Sequence, residues 1–80
     1  MKSVEIRYFA LFREKAGKDN ETLEVSVSTY LELYEYLSKR YDFGLPGDMI
    51  HLAVDDEFTH INLPIADKAR IVFIPPVAGG

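Results

Sequence analysis

The sequence predicts a single α+β domain in which a mixed sheet wraps around one main helix. Stretches of alternating apolar and polar residues near both ends of the chain indicate strands, and residues 29–41 repeat apolar side chains at helical spacing. The chain has 80 residues, of which 48% are hydrophobic, and this is enough apolar material for one core. We therefore treat residues 1–80 as one domain, with residues 75–80 as a tail that projects from it.

The first third of the chain predicts two strands joined by a short helical segment. In residues 3–9 apolar side chains alternate with charged ones, which is typical of a half-buried strand. By this parity Phe9 falls on the charged face, and the alternative that it turns back into the core remains open. Residues 11–16 favour a helical turn that Gly17 ends, and residues 22–27 alternate again as a second strand.

The main helix is predicted over Thr29–Tyr41. Thr29 followed three residues later by Glu32 fits a capping box at the helix start. One apolar stripe runs along this segment and consists of Tyr30, Leu33, Tyr34, Leu37 and Tyr41. The tyrosines could form a platform for an aromatic ligand, but a helix packed on a sheet with hydroxyls at the rim is the simpler interpretation.

Three further strands are predicted in the second half of the chain. Residues 50–54 alternate as a third strand, Asp55 and Asp56 turn the chain, and residues 57–61 return as a short strand. Residues 70–74 form the last strand, in which residues 71–74 are all apolar. Adjacent carboxylates could serve acid–base chemistry or hold a metal. Turn formation explains them more simply, because aspartate tolerates tight turns.

Composition narrows the function classes. The chain has no cysteine, so thiolate catalysis and thiolate metal sites are excluded. His51 and His60 are weak grounds for a zinc site, and a polar strand face is the simpler interpretation. A net charge of −4 argues against nucleic acid as the main partner.

Without a phosphate loop or a recognisable nucleophile set, we expect no enzyme activity from the chain alone. Without an apolar run near the roughly 20 residues of a membrane span, we expect a cytoplasmic protein.

The C-terminal segment has the properties of a probe for a narrow channel. Pro75 and Pro76 end the last strand, because neither can donate a ladder hydrogen bond. Residues 77–80 follow with no charged side chain and none larger than valine. The glycines at 79 and 80 would let a partner approach closely, so that the main-chain carboxylate of Gly80 becomes the reactive group. The alternative is an idle glycine end.

This ending, residues 73–80, resembles that of the small subunit of molybdopterin synthase, the MoaD family, within the ubiquitin-like sulfur carriers. The resemblance extends to residues 8–17 and 53–58 and so covers nearly the whole chain. It implies a ubiquitin-like β-grasp fold with the first and last strands paired in parallel at the centre. The family often has an Asp-Gly-Asp type of turn before the last strand, where this chain has residues 67–70. Without the glycine, the turn must differ or Lys68 must be strained.

The resemblance also implies a mechanism. The Gly80 carboxylate would be adenylated by a ubiquitin-activating-like adenylyltransferase and converted to a thiocarboxylate. That group would donate sulfur to a pyranopterin precursor, forming the molybdopterin dithiolene. ATP would be used by the activating enzyme, and this chain would bind no cofactor and no metal. The tail residues that would enter the channel of the large synthase subunit are Pro75, Pro76, Val77, Ala78 and Gly79.

The resemblance places a docking surface beside the tail. If Ile71 and Phe73 face the helix, Ile74 points outward. Phe9, Phe58 and Ile74 would then contact both the activating enzyme and the large subunit, in a heterotetramer of two small and two large subunits. Three alternatives remain open: a carrier for thiamine, cysteine or tRNA thiolation, a protein modifier joined to lysines through Gly80, and a plain binding domain.

Overall fold

The computed structural model describes residues 1–76, which form one five-stranded mixed sheet with two helices. In chain order the elements are β1 (Lys2–Arg7), α1 (Ala10–Ala16), β2 (Asn20–Val25), α2 (Tyr30–Tyr41), a 3-10 turn (Gly47–Met49), β3 (His51–Val54), β4 (Glu57–Thr59) and β5 (Ala69–Ile74). The sheet order is β2-β1-β5-β3-β4. β1 and β5 pair in parallel at its centre, as the resemblance implies, and all other strand pairs of residues 1–76 are antiparallel.

The main helix, α2, begins where its capping box predicts. The Thr29 hydroxyl accepts a hydrogen bond from the Glu32 N–H at 3.2 Å, and the Glu32 carboxylate accepts one from the Thr29 N–H at 3.1 Å. The helix ends at Asp42, whose backbone is left-handed with φ 57°. Four residues of the predicted stripe are buried and one, Tyr41, is half-buried. The helix therefore packs the predicted stripe against the sheet, while Tyr36 stays exposed.

β1 and β2 both begin and end earlier than predicted. Between them, α1 is a complete helix over Ala10–Ala16 and not a single turn. Gly17 ends it at φ 76°, and its N–H donates to the Arg13 carbonyl at 2.9 Å. That left-handed cap reverses the chain within few residues, so β2 begins at Asn20 and ends at Val25. β1 likewise ends at Arg7, two residues before the predicted boundary, to admit the start of α1.

Two phenylalanines outside the predicted strands and main helix complete the core. Phe12 in α1 and Phe43 after α2 are fully or almost fully buried. Their ring centroids lie 4.7 Å apart in an edge-to-face arrangement, and Phe43 also stacks on Tyr34 at 5.9 Å. The α1 segment and the loop after α2 therefore close one end of the helix–sheet sandwich.

Two turns place non-glycine residues in the left-handed region. Asp55 (φ 51°) and Asp56 (φ 72°) form the two-residue loop between β3 and β4, as the turn interpretation predicts. β4 is shorter than predicted and ends at Thr59. Before β5, Lys68 has φ 63°, so of the two outcomes expected for this turn the structure shows the strained Lys68. Its N–H donates to the Ser3 carbonyl and joins the turn to β1.

Within residues 1–76, no helix is long and apolar enough to cross a membrane.

Candidate functional site

The sheet has one face covered by α2 and one open face, which we call the outer face. Side chains alternate along each strand, so the buried Ile71 and Phe73 of β5 face α2, whereas Val72 and Ile74 face outward. Both outward residues are half-buried. The predicted orientation of Ile74 is therefore confirmed.

Apolar side chains from neighbouring strands meet on the outer face. Ala53 of β3 pairs with Val72 of β5 on one side and with Phe58 of β4 on the other. Phe58 is 77% exposed, an unusual state for a large aromatic side chain. Together with Phe9 and Ile74, these residues form what we call the outer-face patch.

Phe9 belongs to this surface and not to the core. It is 47% exposed and follows β1 directly, as the residue before α1. The Arg7 guanidinium lies 5.9 Å from the centre of its ring, a cation–π distance. Since Arg7 pairs with Val72, Phe9 lies at the end of the sheet where β5 also ends. The structure thus decides between the two placements that the sequence left open.

Charged side chains border the patch on β5. Arg70 Nη2 lies 3.2 Å from Asp56 Oδ2, and the Arg70 N–H donates to Asp55 Oδ1 at 3.0 Å. The two aspartates therefore hold the β3–β4 turn against β5. His51 pairs with Ile74, and both His51 and His60 are exposed. Across residues 1–76, no three His, Asp or Glu side chains are grouped in a way that could hold a metal ion.

The chain leaves the sheet at the outer-face patch. Ile74 is the last residue of β5, and it is followed by Pro75, which is half-buried, and Pro76, which is exposed. The remaining predicted tail residues Val77, Ala78, Gly79 and Gly80 lie outside the described residues. The described part of the tail therefore begins next to the side chains that the sequence predicts for docking.

A polar cluster around Glu21, which the sequence did not predict, lies apart from the outer-face patch. The hydroxyls of Tyr8 and Tyr41 both donate to Glu21 Oε2, at 2.6 and 2.7 Å, and Lys18 Nζ lies 3.4 Å from Glu21 Oε1. Burial, and then the bond to Glu21, raises the pKa of the Tyr8 hydroxyl. Burial alone would raise the pKa of the Glu21 carboxyl, but the two hydroxyls and the ammonium lower it overall. This cluster joins β1, β2 and α2.

Two more tyrosines of the predicted stripe, Tyr34 and Tyr30, also form hydrogen bonds inside the protein, whereas Tyr36 of the same helix is exposed. The Tyr34 hydroxyl donates to the Leu45 carbonyl at 2.7 Å, and the Tyr30 hydroxyl accepts from the Ala66 N–H at 3.1 Å. These bonds agree with the packed-helix interpretation of the stripe and leave no aromatic platform there. Sequence reasoning missed Ala53 and Val72 as patch members and Arg7 as their neighbour, because only the strand register brings these residues together.

Comparison with known proteins supports the resemblance. The model of the ThiS family matches residues 6–80. The molybdopterin synthase sulfur carrier subunit of Escherichia coli (strain K12) is 26% identical over 80 residues, which cover 96% of this chain and 99% of that protein.

Solved structures share the fold. A structure described as molybdopterin converting factor, subunit 1, from Pyrococcus furiosus is 26% identical with TM-score 0.80, covering 96% of this chain and all of that one. Small archaeal modifier protein 1 of Haloferax volcanii is 20% identical with TM-score 0.78, covering 96% of this chain and 100% of that one. A Helicobacter pylori 26695 complex of subunits 1 and 2 of molybdopterin-converting factor is 24% identical with TM-score 0.62, covering 98% and 99%.

These neighbours confirm the ubiquitin-like β-grasp assignment, and the Escherichia coli and Pyrococcus furiosus proteins confirm the resemblance to the MoaD family. Because the family model spans residues 6–80, this chain belongs to the ThiS family.

Proposed function

We propose that this chain is the sulfur carrier subunit of a molybdopterin synthase and that it carries sulfur on the carboxyl group of Gly80. The observation that carries the proposal is the position of the tail exit. β5 delivers Pro75 and Pro76 at an exposed apolar patch, so that one partner could hold the patch and receive the tail. The similarity to the Escherichia coli sulfur carrier subunit over 96% of the chain supports the same function.

The chemistry begins with an unreactive group. A terminal carboxyl has a pKa of roughly 3.3–3.7 and is a carboxylate at neutral pH, which makes it a poor electrophile. Attack of the Gly80 carboxylate on the α-phosphate of ATP would form an acyl adenylate and release pyrophosphate. A persulfide sulfur would then attack the acyl carbon, AMP would leave, and reductive cleavage of the sulfur–sulfur bond by a thiol would leave the thiocarboxylate. A ubiquitin-activating-like adenylyltransferase would supply the ATP site.

The thiocarboxylate would act as the nucleophile in the second half of the cycle. It keeps one negative charge, so that basic groups of the large subunit would attract it, as in other cases of peptide-terminus capture. Its sulfur would displace an oxygen group of the pyranopterin precursor, which forms a thioester between the precursor and Gly80. Water would then hydrolyse this thioester, so that the sulfur stays on the precursor and Gly80 becomes a carboxylate again. A dithiolene contains two sulfurs, so two loaded chains are used for each product. We propose an assembly of two small and two large subunits in the cytoplasm.

The outer-face patch would provide the affinity for the large subunit. The Helicobacter pylori structure holds subunits 1 and 2 of molybdopterin-converting factor in one complex, which supports a partner of this kind. Phe58 and Phe9 are the large exposed aromatic residues of the patch, at 77% and 47%. Aromatic side chains at the centre of an interface commonly account for much of its binding energy.

Alanine variants at Phe58, Phe9 and Ile74 test this docking surface. We expect each to weaken binding to the large subunit by about tenfold or more. Each should change the free energy of unfolding by less than the binding free energy, because none of these side chains is buried in the core. Leu63→Ala is the matched control, since Leu63 is 45% exposed but lies beside the start of α2.

Binding by calorimetry and thermal melts of the same samples make the comparison. Equal loss of affinity in the Leu63 control, or loss of stability that accounts for the lost binding, would contradict the docking assignment. The alternatives are separated by intact mass after incubation with the activating enzyme and a sulfur source. Exchange of one oxygen for sulfur marks a carrier, whereas a ladder of heavier conjugates marks a protein modifier.

A further inference from the structure

β2 is an edge strand with unused backbone hydrogen-bonding groups. It pairs only with β1 within residues 1–76, since the sheet order places it at one end. The Tyr8 N–H donates to the Asp19 carbonyl at 2.8 Å, one step beyond the β1–β2 ladder. Bonded and non-bonded pairs alternate in an antiparallel ladder. The backbone groups of Thr22 and Glu24 therefore point away from β1, to the free side of the strand.

The hydrogen bonds of β1 also indicate that the backbone groups of Thr22 and Glu24 point away from the sheet. The partners of Thr22 and Glu24 in β1 are Glu5 and Ser3. The Ser3 carbonyl accepts from the Lys68 N–H, and the Ser3 N–H donates to Asp67 Oδ1 at 2.8 Å, so Ser3 uses its backbone on the β5 side. The opposite residues of β2 then present two donor–acceptor pairs, two residues apart. This is the spacing that an added strand needs.

An apolar groove runs beside this free edge. It has a volume of about 220 Å³ and lies between β2 and α2. Its apolar lining is Leu23, Val25, Val27 and Tyr36, and Met1, Glu24 and Ser26 complete it. Tyr36 is 47% exposed, and Leu23 and Val27 are half-buried. A strand added at the edge would direct every second side chain into the groove.

A second depression shares Tyr36 with the groove and forms its basic rim. Lys39 and Arg40 line this depression together with Tyr36, and the Arg40 Nη1 donates to the Tyr36 hydroxyl at 3.1 Å. Neither cation forms an ion pair with a carboxylate of residues 1–76, whereas Lys18 is paired with Glu21. Although the chain has a net charge of −4, Lys39 and Arg40 make the rim locally positive, so that it would attract acidic residues of a partner.

We propose that the free edge of β2 binds an extended segment of another protein by strand addition. The segment has apolar residues at alternate positions, which enter the groove beside Tyr36, and acidic residues at one end, which meet Lys39 and Arg40. This site lies at the β2 edge, whereas the outer-face patch lies on β5, β3 and β4 and at the end of β1, on the face of the sheet opposite α2. The chain could therefore hold this segment while its tail is in use elsewhere, and the site stands independently of the sulfur-carrier function.

The probes are two synthetic peptides of alternating valine and threonine, one with three aspartates at the amino end and one with them at the carboxyl end. Together they cover both directions of strand addition. Each is titrated to about 1 mM into the isotopically labelled chain and followed by NMR. We expect one of them to shift the amides of Thr22 and Glu24 and to slow their hydrogen exchange. Replacement of the aspartates by lysines should abolish the effect.

Two sets of variants test the contacts separately. Thr22→Pro removes the outward N–H, which the sheet does not use, and should weaken binding by about 2- to 12-fold, the value of one hydrogen bond. Thr22→Val keeps the N–H and is its matched control. Lys39→Glu combined with Arg40→Glu should weaken binding and remove its salt dependence, whereas Lys15→Glu on α1 should not. The charge variants keep the test decisive if Thr22→Pro does not fold.

Three results would overturn the proposal. One is the absence of any shift at Thr22 and Glu24 with either peptide at about 1 mM. Another is a shift confined to the outer-face patch. The third is a concentration-dependent shift of the β2 amides without peptide, because a second copy of the chain would then occupy the edge.

Discussion

Lys68 offers a direct test of backbone strain in this fold. Its φ of 63° lies in the left-handed region, which costs a residue with a Cβ atom about 1–2 kcal/mol. Its side chain is exposed and forms no hydrogen bond or ion pair with any residue of 1–76. Only its backbone N–H is used, toward the Ser3 carbonyl. Substitution by glycine therefore removes the strain and keeps the contact.

We expect Lys68→Gly to stabilise the chain by about 0.5–1 kcal/mol. Relief of the strain is partly offset by the greater freedom of glycine in the unfolded chain, which costs about 0.5–1 kcal/mol. For a domain of this size the gain corresponds to a rise in Tm of about 2–8 °C. Lys68→Ala is the matched control, because it removes the same side chain but keeps the Cβ atom.

Chemical denaturation and thermal melts of both variants measure the effect. The glycine variant should exceed the alanine variant in stability, and the alanine variant should lie close to the parent. Equal stabilities for the glycine and alanine variants would contradict the prediction, because they would mean that the left-handed turn at Lys68 is not strained.

Two further predictions concern the helix and the polar cluster. Thr29→Ala removes the N-cap and should lower the free energy of unfolding by about 0.5–2 kcal/mol in denaturant titrations. Thr29→Ser keeps a hydroxyl and should lower it much less. An alanine variant as stable as the parent would refute the capping role of Thr29. Glu21→Gln should cost about 1–3 kcal/mol at neutral pH, because the carboxylate accepts two hydroxyl bonds. Its pKa is lowered in the folded chain, so its stabilisation is present above the unfolded value of about 4.3 and is lost as the pH falls through the folded value. The difference between parent and Gln variant should thus shrink in melts below about pH 4, and a difference independent of pH would contradict it.

The features that depend on residues close together in the sequence were predicted correctly. The start of α2 was predicted at the correct residue, because the capping box between Thr29 and Glu32 is a contact within one turn. The outward positions of Phe9 and Ile74 followed from strand parity, which depends only on the alternation of side chains.

The features that sequence reasoning missed depend on distant contacts. The start of β2 was misplaced because the length of the turn after α1 depends on the left-handed cap at Gly17. Phe12 lies in the segment predicted as a helical turn and Phe43 lies beyond the predicted main helix, and the burial of both comes from packing against each other and against Tyr34. No pattern within either segment records that contact.

Only part of the candidate site was predicted, because the rest depends on contacts between strands that are distant in the sequence. Strand parity identifies which side chains point outward but not which strands are neighbours. Arg7, Val72 and Ala53 lie in one row only because β1, β5 and β3 pair in the observed register. The cluster around Glu21 likewise needs β1, β2 and α2 to be assembled before its two hydroxyl bonds can form.

The central claim is that the carboxyl group of Gly80 is the reactive group. The most direct measurement is ATP–pyrophosphate exchange with the cognate activating enzyme, followed by intact mass after a sulfur source is added. We predict exchange and replacement of one oxygen by sulfur for the parent chain. A variant with one alanine added after Gly80 should show neither, with an unchanged melting temperature because the tail lies beyond β5. Full exchange and thiolation in the extended variant, with the added residue still present by mass, would contradict the claim.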